Sequence, residues 1–404
     1  MPQAFLLWNP RDDSTSMADA HMEATFDEDL AWCFDAVSDV SRTFAITIDA
    51  LEEPMASRIC VGYLLCRVAD TVEDAGHIPP DVQRELLQQY DEALSGDRAL
   101  ETTTDGGSVD VEGGSAPGSV DPDATPHRSV KLPEDAPIHR FRRNVDEWIP
   151  QEPGADADDW RVVAAAPRIV RTYESLPPAD REAIRGPVRE LVGGMAEFVD
   201  RYADDGGLRI GTVDELEEYC WYAAGTVGDL VTNLLARGVD AEREDTLEAN
   251  ARSFALLLQL VNVAKDVTDD YREENNVYLP EAWLSEAGVE QDAVCDSHNV
   301  GPVASVVERV TDRASGYLDD AQVYLEALPE HRGNTLAAWA IPYLLAVGTI
   351  RELRERPEDV LREDGVKVPK PEVLTLIAQF ERGVEKAALE DLREQMEQAP
   401  LHHH

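Results

Sequence analysis

The chain has 404 residues, with 36 Lys+Arg against 81 Asp+Glu, a formal net charge of −45 at pH 7, and 43% hydrophobic residues. That much apolar material excludes wholesale disorder, and a surface this acidic repels nucleic-acid phosphates and anionic lipid head groups. Only five basic residues are lysines (Lys131, Lys265, Lys367, Lys370, Lys386), and with the acidity this bias reads as a protein kept soluble in concentrated salt, where charges are screened.

Residues 1–26 are polar and mixed and read as a loose leader, without the basic start of a signal peptide. Helical periodicity covers 27–95, broken once near Leu51 to Pro54. Residues 96–137 turn to Gly, Asp, Ser, Thr and Pro with no apolar period, the composition of a disordered acidic insertion. Its glycine-rich stretch at 113–118 follows no strand, so it is no phosphate loop. Helical patterning resumes near Ile138 and runs through 181–203, 213–237, 242–273, 301–327, 335–354 and 370–398. Pro177-Pro178, Gly206-Gly207 and Pro280 punctuate it, and nothing alternates with period two. The predicted class is all-α: roughly ten helices around one core, as a single domain over 27–398 with a tail at 399–404 whose histidines look like part of a purification tag.

Five cysteines (Cys33, Cys60, Cys66, Cys220, Cys295) form no C-x-x-C pair and read as small buried hydrophobes. The longest apolar stretch, 337–350, has 14 residues and contains Pro342 and Gly348, short of the roughly 20 that span a bilayer. The expectation is a cytoplasmic protein with no transmembrane segment.

Two acidic motifs carry the chemistry. In Arg67-Val-Ala-Asp70-Thr-Val-Glu73-Asp74, the three carboxylates share one helical face, with Arg67 and Tyr63 continuing the stripe towards the N-terminus. In Gln259-Leu-Val-Asn262-Val-Ala-Lys265-Asp266-Val-Thr-Asp269-Asp270, residues Asn262, Asp266 and Asp270 line one face after an almost wholly apolar run. Like charges at i, i+4 destabilise a helix, and burying them costs more, so a cation belongs between them. Hard oxygen ligands without His or Cys point to Mg²⁺, which bridges carboxylates and substrate phosphates. The plain alternative is a solvated acidic face, and two such motifs on apolar helices weaken it.

These motifs resemble the two aspartate-rich motifs of the squalene/phytoene synthase family. Ser41-Arg42-Thr-Phe44 resembles that family's Ser-Arg-aromatic segment, and Tyr219-Cys-Trp-Tyr-Ala-Ala-Gly225-Thr-Val227-Gly228 is similar to its tyrosine segment. Three further stretches resemble the squalene branch: Gly194-Met-Ala-Glu-Phe-Val-Asp200, Trp339-Ala-Ile-Pro342 and the basic Gly365-Val-Lys367-Val-Pro-Lys370. One departure is Asn276, where the family carries an arginine, which makes Arg272 the candidate replacement.

The resemblance implies an isoprenoid synthase fold with a deep apolar cavity. It implies head-to-head joining of two farnesyl diphosphates to presqualene diphosphate, then reduction by NADPH to squalene. Asp70, Glu73, Asp74, Asp266, Asp269 and Asp270 are the implied metal residues, and Lys367 and Lys370 the implied NADPH contacts. Tyr219, Tyr63 and Arg67 are implied catalytic residues; the implied substrate contacts are Ser41, Arg42, Phe44, Arg67, Val227, Gln259, Asn262, Lys265, Arg272 and Trp339. Phe44 and Trp339 read equally well as core, and Lys367 and Lys370 as exposed loop lysines. The rivals are a phytoene or dehydrosqualene synthase and, from another class, a non-catalytic helical lipid-binding protein. A monomer that touches membranes only for product release completes the expectation. The composition predicts a melting temperature that rises steeply from low to molar KCl as self-repulsion is screened; a scan flat across that range contradicts the high-salt reading.

Overall fold

Prolines and capping side chains start many of the helices. The computed structural model describes residues 17–96, 130–152, 154, 156–329, 335–362 and 365–403, with the side chains of 17–25, 42 and 43 left outside. In chain order the helices are α1 (Met17–Val40), α2 (Arg42–Ala50), α3 (Met55–Glu73), α4 (Pro80–Leu94), α5 (Pro137–Val145) and α6 (Ala157–Ala164). Then come α7 (Ala166–Glu174), α8 (Pro178–Arg201), α9 (Val213–Cys220), α10 (Thr226–Leu235), α11 (Ala241–Lys265) and α12 (Val267–Asp269). The last six are α13 (Glu281–Glu286), α14 (Val300–Ser315), α15 (Leu318–Ala327), α16 (Thr335–Glu355), α17 (Lys370–Glu381) and α18 (Leu389–Gln398). Two π-helical turns, Trp221–Gly225 and Asp270–Glu274, follow α9 and α12.

Local chemistry explains the boundaries. Ser41, Thr212 and Asp240 accept from the backbone N–H three residues on and so cap α2, α9 and α11. Prolines occupy the first turn of α4, α5, α7, α8 and α17, where a missing N–H costs nothing. The all-α expectation holds: among the described residues there is no strand, and the one isolated bridge joins Arg209 to Val277. Helices outnumber the estimate because periodicity runs across breaks at Ser41, at 74–79 and at 266, where the backbone turns but the apolar spacing continues.

α3 is buried along nearly its whole length and packs against α1, α4, α6, α7, α8 and α10. α11 packs against α10, α14, α15 and α16, so the first acidic motif rides on a buried helix and the second follows one enclosed by four others. α16 is long and apolar enough to cross a membrane by length and composition, but 83% of its most apolar window is buried inside the protein, as in a core helix. Cys33, Cys60, Cys66 and Cys220 are buried and Cys295 is half-buried, all as free thiols.

Three boundaries differ from the sequence reading. α1 begins at Met17, within the stretch read as a leader. Of the insertion at 96–137, residues 97–129 lie outside the described residues; Val130 N–H donates to Ser175 Oγ at 3.1 Å, and Pro137 already opens α5. The tail is docked: Leu401 is buried and its N–H donates to Glu372 Oε1 at 3.2 Å.

That last contact belongs to a buried ion cluster. Arg351 on α16 donates to both Glu372 carboxylate oxygens, at 3.0 and 2.8 Å, to Glu352 at 2.8 Å and to the Met396 carbonyl at 2.6 Å. It ties α16, α17 and the end of α18 together. Removing one partner of such a pair strands the other, so Glu372→Ala is expected to cost about 3 kcal/mol in urea unfolding. A loss within experimental error would show that water replaces the carboxylate freely.

Candidate active site

A cavity of about 650 Å³ opens between α2, α3, α10, α11 and α16. Ser41 and Phe44 line it from α2, Tyr63 and Arg67 from α3, Ala223, Ala224, Val227 and Gly228 from the π turn and α10, and Gln259, Asn262 and Lys265 from α11. Trp339, Pro342 and Leu345 close it from α16, Val366, Lys367 and Val368 from the stretch leading into α17, and Val373 from α17 itself. Most of this lining is apolar. The aromatic rings make a continuous wall: Tyr63 stacks on Phe44 at 4.0 Å, Phe44 meets Trp339 at 6.4 Å, Trp339 meets Phe254 edge-on at 6.3 Å, and Phe254 meets Tyr324 at 5.1 Å.

The small residues of the tyrosine segment have definite neighbours. A Cβ on Gly228 would lie 3.0 Å from Ala255 Cβ, so glycine lets α10 close against α11. A Cβ on Gly194 would sit 2.1 Å from the Tyr222 ring, so glycine lets these two separated stretches of the sequence pack against each other.

The carboxylates adjoin this cavity through the two cations on its wall. Arg67 Nε donates to Asp159 Oδ1 at 2.7 Å, and Lys265 pairs with Asp266. Burial, then the charges of Asp74 and Asp159, push Asp70 up to about 7 against the pull of Arg67. Burial followed by Glu274, Asp266 and Asp74 pushes Asp270 up to about 9. Asp74 belongs to the first motif and Asp270 to the second, so the two motifs face each other within electrostatic reach. Glu73 and Asp74 are also raised by burial, and Glu274 rises to about 8 through burial and the charge of Asp74. A smaller cavity of about 300 Å³ lies on the other side of Glu73, Asp74 and Glu274, bounded by His77, Gln83, Tyr202 and Gly207.

The second motif is not one helix face. α11 ends at Lys265, Asp266 caps it with φ −98° and ψ 11°, and the chain runs through α12 into the π turn. That turn closes on Asn275 in the left-handed region at φ 59°, a conformation that asparagine tolerates. Asn276 is thereby buried: Leu208 N–H donates to its Oδ1 at 2.8 Å, and its Nδ2 donates to Tyr278 Oη at 3.2 Å and Glu274 Oε2 at 3.3 Å.

Most implied substrate contacts come together on the main cavity: Ser41, Phe44, Tyr63, Arg67, Val227, Gln259, Asn262, Lys265 and Trp339, with Lys367 beside them. Others do not. Tyr219 is buried behind Glu73, its hydroxyl 3.5 Å from Glu73 Oε2 and 3.1 Å from Tyr278 Oη, and it lines neither cavity. Asp269 and Arg272 are exposed, because the break at Asp266 and the π turn rotate them outward, and Arg272 lines neither cavity. Lys370 is exposed and away from the cavity lining, and the Arg42 side chain lies outside the described residues. Sequence reasoning missed Asp159, Tyr278 and Glu274. Glu274 follows Asp270 at i+4, the same spacing that singled out the others; Asp159 gave no such signal.

The residues suit a hard cation. The two motifs bring carboxylate oxygens together, their charges raise the pKa values of Asp70 and Asp270, and Asp70 Oδ1 is buried with no hydrogen-bond partner. Among the described residues no three His, Cys, Asp or Glu side chains close around a point by themselves.

The family profile described as squalene/phytoene synthase matches residues 37–372. The squalene synthase of Candida albicans is 24% identical over 341 residues, 82% of this chain and 63% of its own length. Squalene synthase 1 of Arabidopsis thaliana is 26% identical over 323 residues, 79% of this chain and 64% of its own. The chain thus spans less than two thirds of these relatives' length. Among solved structures, TcSQS in complex with the ligand E5700 superposes with a TM-score of 0.66 at 22% identity, covering 94% of this chain and all of that one. A dehydrosqualene synthase with bound ligand gives 0.51 at 16% identity, over 89% of this chain and 98% of that one. The helical architecture is therefore the isoprenoid synthase fold, and the chain belongs to the squalene/phytoene synthase family.

Proposed function

We propose that this chain is a Mg²⁺-dependent prenyltransferase that joins two farnesyl diphosphates head-to-head to presqualene diphosphate and reduces the product with NADPH to squalene. One observation supports it above the rest: a mostly apolar cavity of about 650 Å³ whose wall carries Arg67 and Lys265 beside two facing carboxylate motifs. Such a cavity takes hydrocarbon chains and leaves the charged diphosphates at the acidic end.

Asp70, Asp74, Asp266 and Asp270 would hold the metal, with Glu73 and Glu274 beside them. Bound Mg²⁺ supplies Lewis acidity to the departing diphosphate. Arg67 has amino groups to offer its oxygens, and Lys265 a point charge. The dry wall keeps water from an allylic cation, while Phe44, Tyr63 and Trp339 offer π-faces to it. Tyr219 and Tyr278 form a buried hydroxyl pair against Glu73, suited to holding a proton at the Tyr219 hydroxyl rather than touching the chains. Lys367 at the cavity, with Lys370 three residues on, is the support for a reductant site. The acidic, lysine-poor composition supports a halophilic source.

Incubation with farnesyl diphosphate and Mg²⁺ should stall at presqualene diphosphate or unreduced C30 products, and NADPH should turn the output to squalene. Phytoene from geranylgeranyl diphosphate, indifferent to NADPH, would overturn the squalene reading and leave the family. Asp70→Asn should cut turnover by orders of magnitude with an unchanged helical CD spectrum.

The raised carboxylates also predict a pH response. Asp70, Glu274 and Asp270, at about 7, 8 and 9, keep protons in the folded state that the unfolded chain has already released. The metal-free protein should therefore lose stability as pH rises from about 4 to about 9. Asp70→Asn should make that decline shallower, and Mg²⁺ should restore melting temperature most at the alkaline end. A decline unchanged by both would contradict the clustered carboxylates.

A further inference from the structure

Arg67 has a carboxylate on its own helix, Asp70, three residues on, at the spacing where arginine and aspartate ordinarily pair. They share no hydrogen bond or ion pair. Arg67 Nε donates instead to Asp159 Oδ1 on α6, 92 positions along the chain, while Asp70 Oδ1 stays buried with no hydrogen-bond partner.

Asp159 is held for this task by its surroundings. α6 packs against α3, and the next residue, Trp160, is buried. The Trp160 indole N–H donates to Asp156 Oδ2 at 2.7 Å, and its ring meets His77 at 5.4 Å. Asp159 takes only the Nε side of the guanidinium. The two amino groups, whose fork geometry suits phosphate, make no hydrogen bond to a described residue, and Arg67 lines the main cavity.

The geometry points to Asp159 as a positioning residue: it draws Arg67 off Asp70, so that a guanidinium edge and a carboxylate are both left for one ligand, a diphosphate with its divalent cation. Without Asp159, Arg67 folds onto Asp70 and each spends the other's charge. The inference rests on reading the cavity as a diphosphate site. Asp159 lies in the acidic run Asp156-Ala-Asp-Asp159, which by sequence alone is a solvated helix start.

The test is calorimetric binding of inorganic pyrophosphate with MgCl₂ to the full chain at fixed KCl, with no turnover involved. Asp159→Ala should weaken pyrophosphate about tenfold, the scale of a charged hydrogen bond. In an Arg67→Ala background the same substitution should change nothing further, because Asp159 acts only through Arg67. Losses that add in the double variant overturn the proposal. So does a lower melting temperature in Asp159→Ala with undiminished pyrophosphate affinity, the signature of a plain α3–α6 ion pair. Asp159→Asn keeps an acceptor without the charge and should bind between wild type and Asp159→Ala. If Asp159→Ala does not fold, wild-type affinity in Asp159→Asn overturns the proposal. Wild type that binds no pyrophosphate, or Arg67→Ala that binds it as well as wild type, instead overturns the diphosphate reading beneath it.

Discussion

Repulsion among recessed carboxylates is the constraint on which this structure depends. Asp70, Glu73, Asp74, Asp270 and Glu274 are gathered where burial already disfavours their charge, and the charge of Asp74 adds to the burden on Asp70, Glu73, Asp270 and Glu274. Left to themselves such groups would splay into water. They stay because α3, which carries the first motif, and α11, which leads into the second, are packed on several sides by other helices, and the apolar burial along them outweighs the local electrostatic cost. The bundle stores an unmet demand for positive charge at one end of an apolar cavity.

How the demand stays unmet is as informative as how it arises. Two cations lie on the cavity wall, and one of them is held by a carboxylate outside the two motifs. Lys265 is paired with the neighbouring Asp266, and Arg67 is drawn away by Asp159. Asn276 spends its whole side chain on internal bonds and brings no charge. On the Arg67 side the arrangement keeps anion-binding and cation-binding groups side by side without letting them cancel, whereas Lys265 offsets part of the charge at Asp266 and Asp270.

The two π-helical turns border this region, and each has a visible consequence. The first, Trp221–Gly225, brings Ala223 and Ala224 to the cavity wall, which keeps that wall thin and apolar. The second, Asp270–Glu274, aims Asp270 and Glu274 inward while turning Arg272 out. Such turns insert an extra residue into helical spacing, so side chains beyond them leave the face that a regular helix assigns.

What the sequence determined by itself follows from local and periodic forces. Apolar spacing of three and four residues specified an all-α chain, and residue type and spacing on one continuous helix defined the acidic face of the Asp70 motif; the Asp266 motif marked the second acidic stretch, although the break at Asp266 takes it off a single face. Tyr63 and Asn262 were legible for the same reason, whereas Phe44, Gln259 and Trp339 came from the family resemblance; all five line the cavity. What only the tertiary structure decided is everything that crosses between elements or follows a break in helical geometry. Tyr219 is buried behind Glu73 because α9 packs there, Arg272 points outward because of a π turn, and Glu274 joins the acidic cluster through that same turn. Asp159 reaches Arg67 across 92 positions because α6 packs on α3. No pattern within one helix records which distant side chain will meet it, because that pairing is chosen by the packing of the whole bundle.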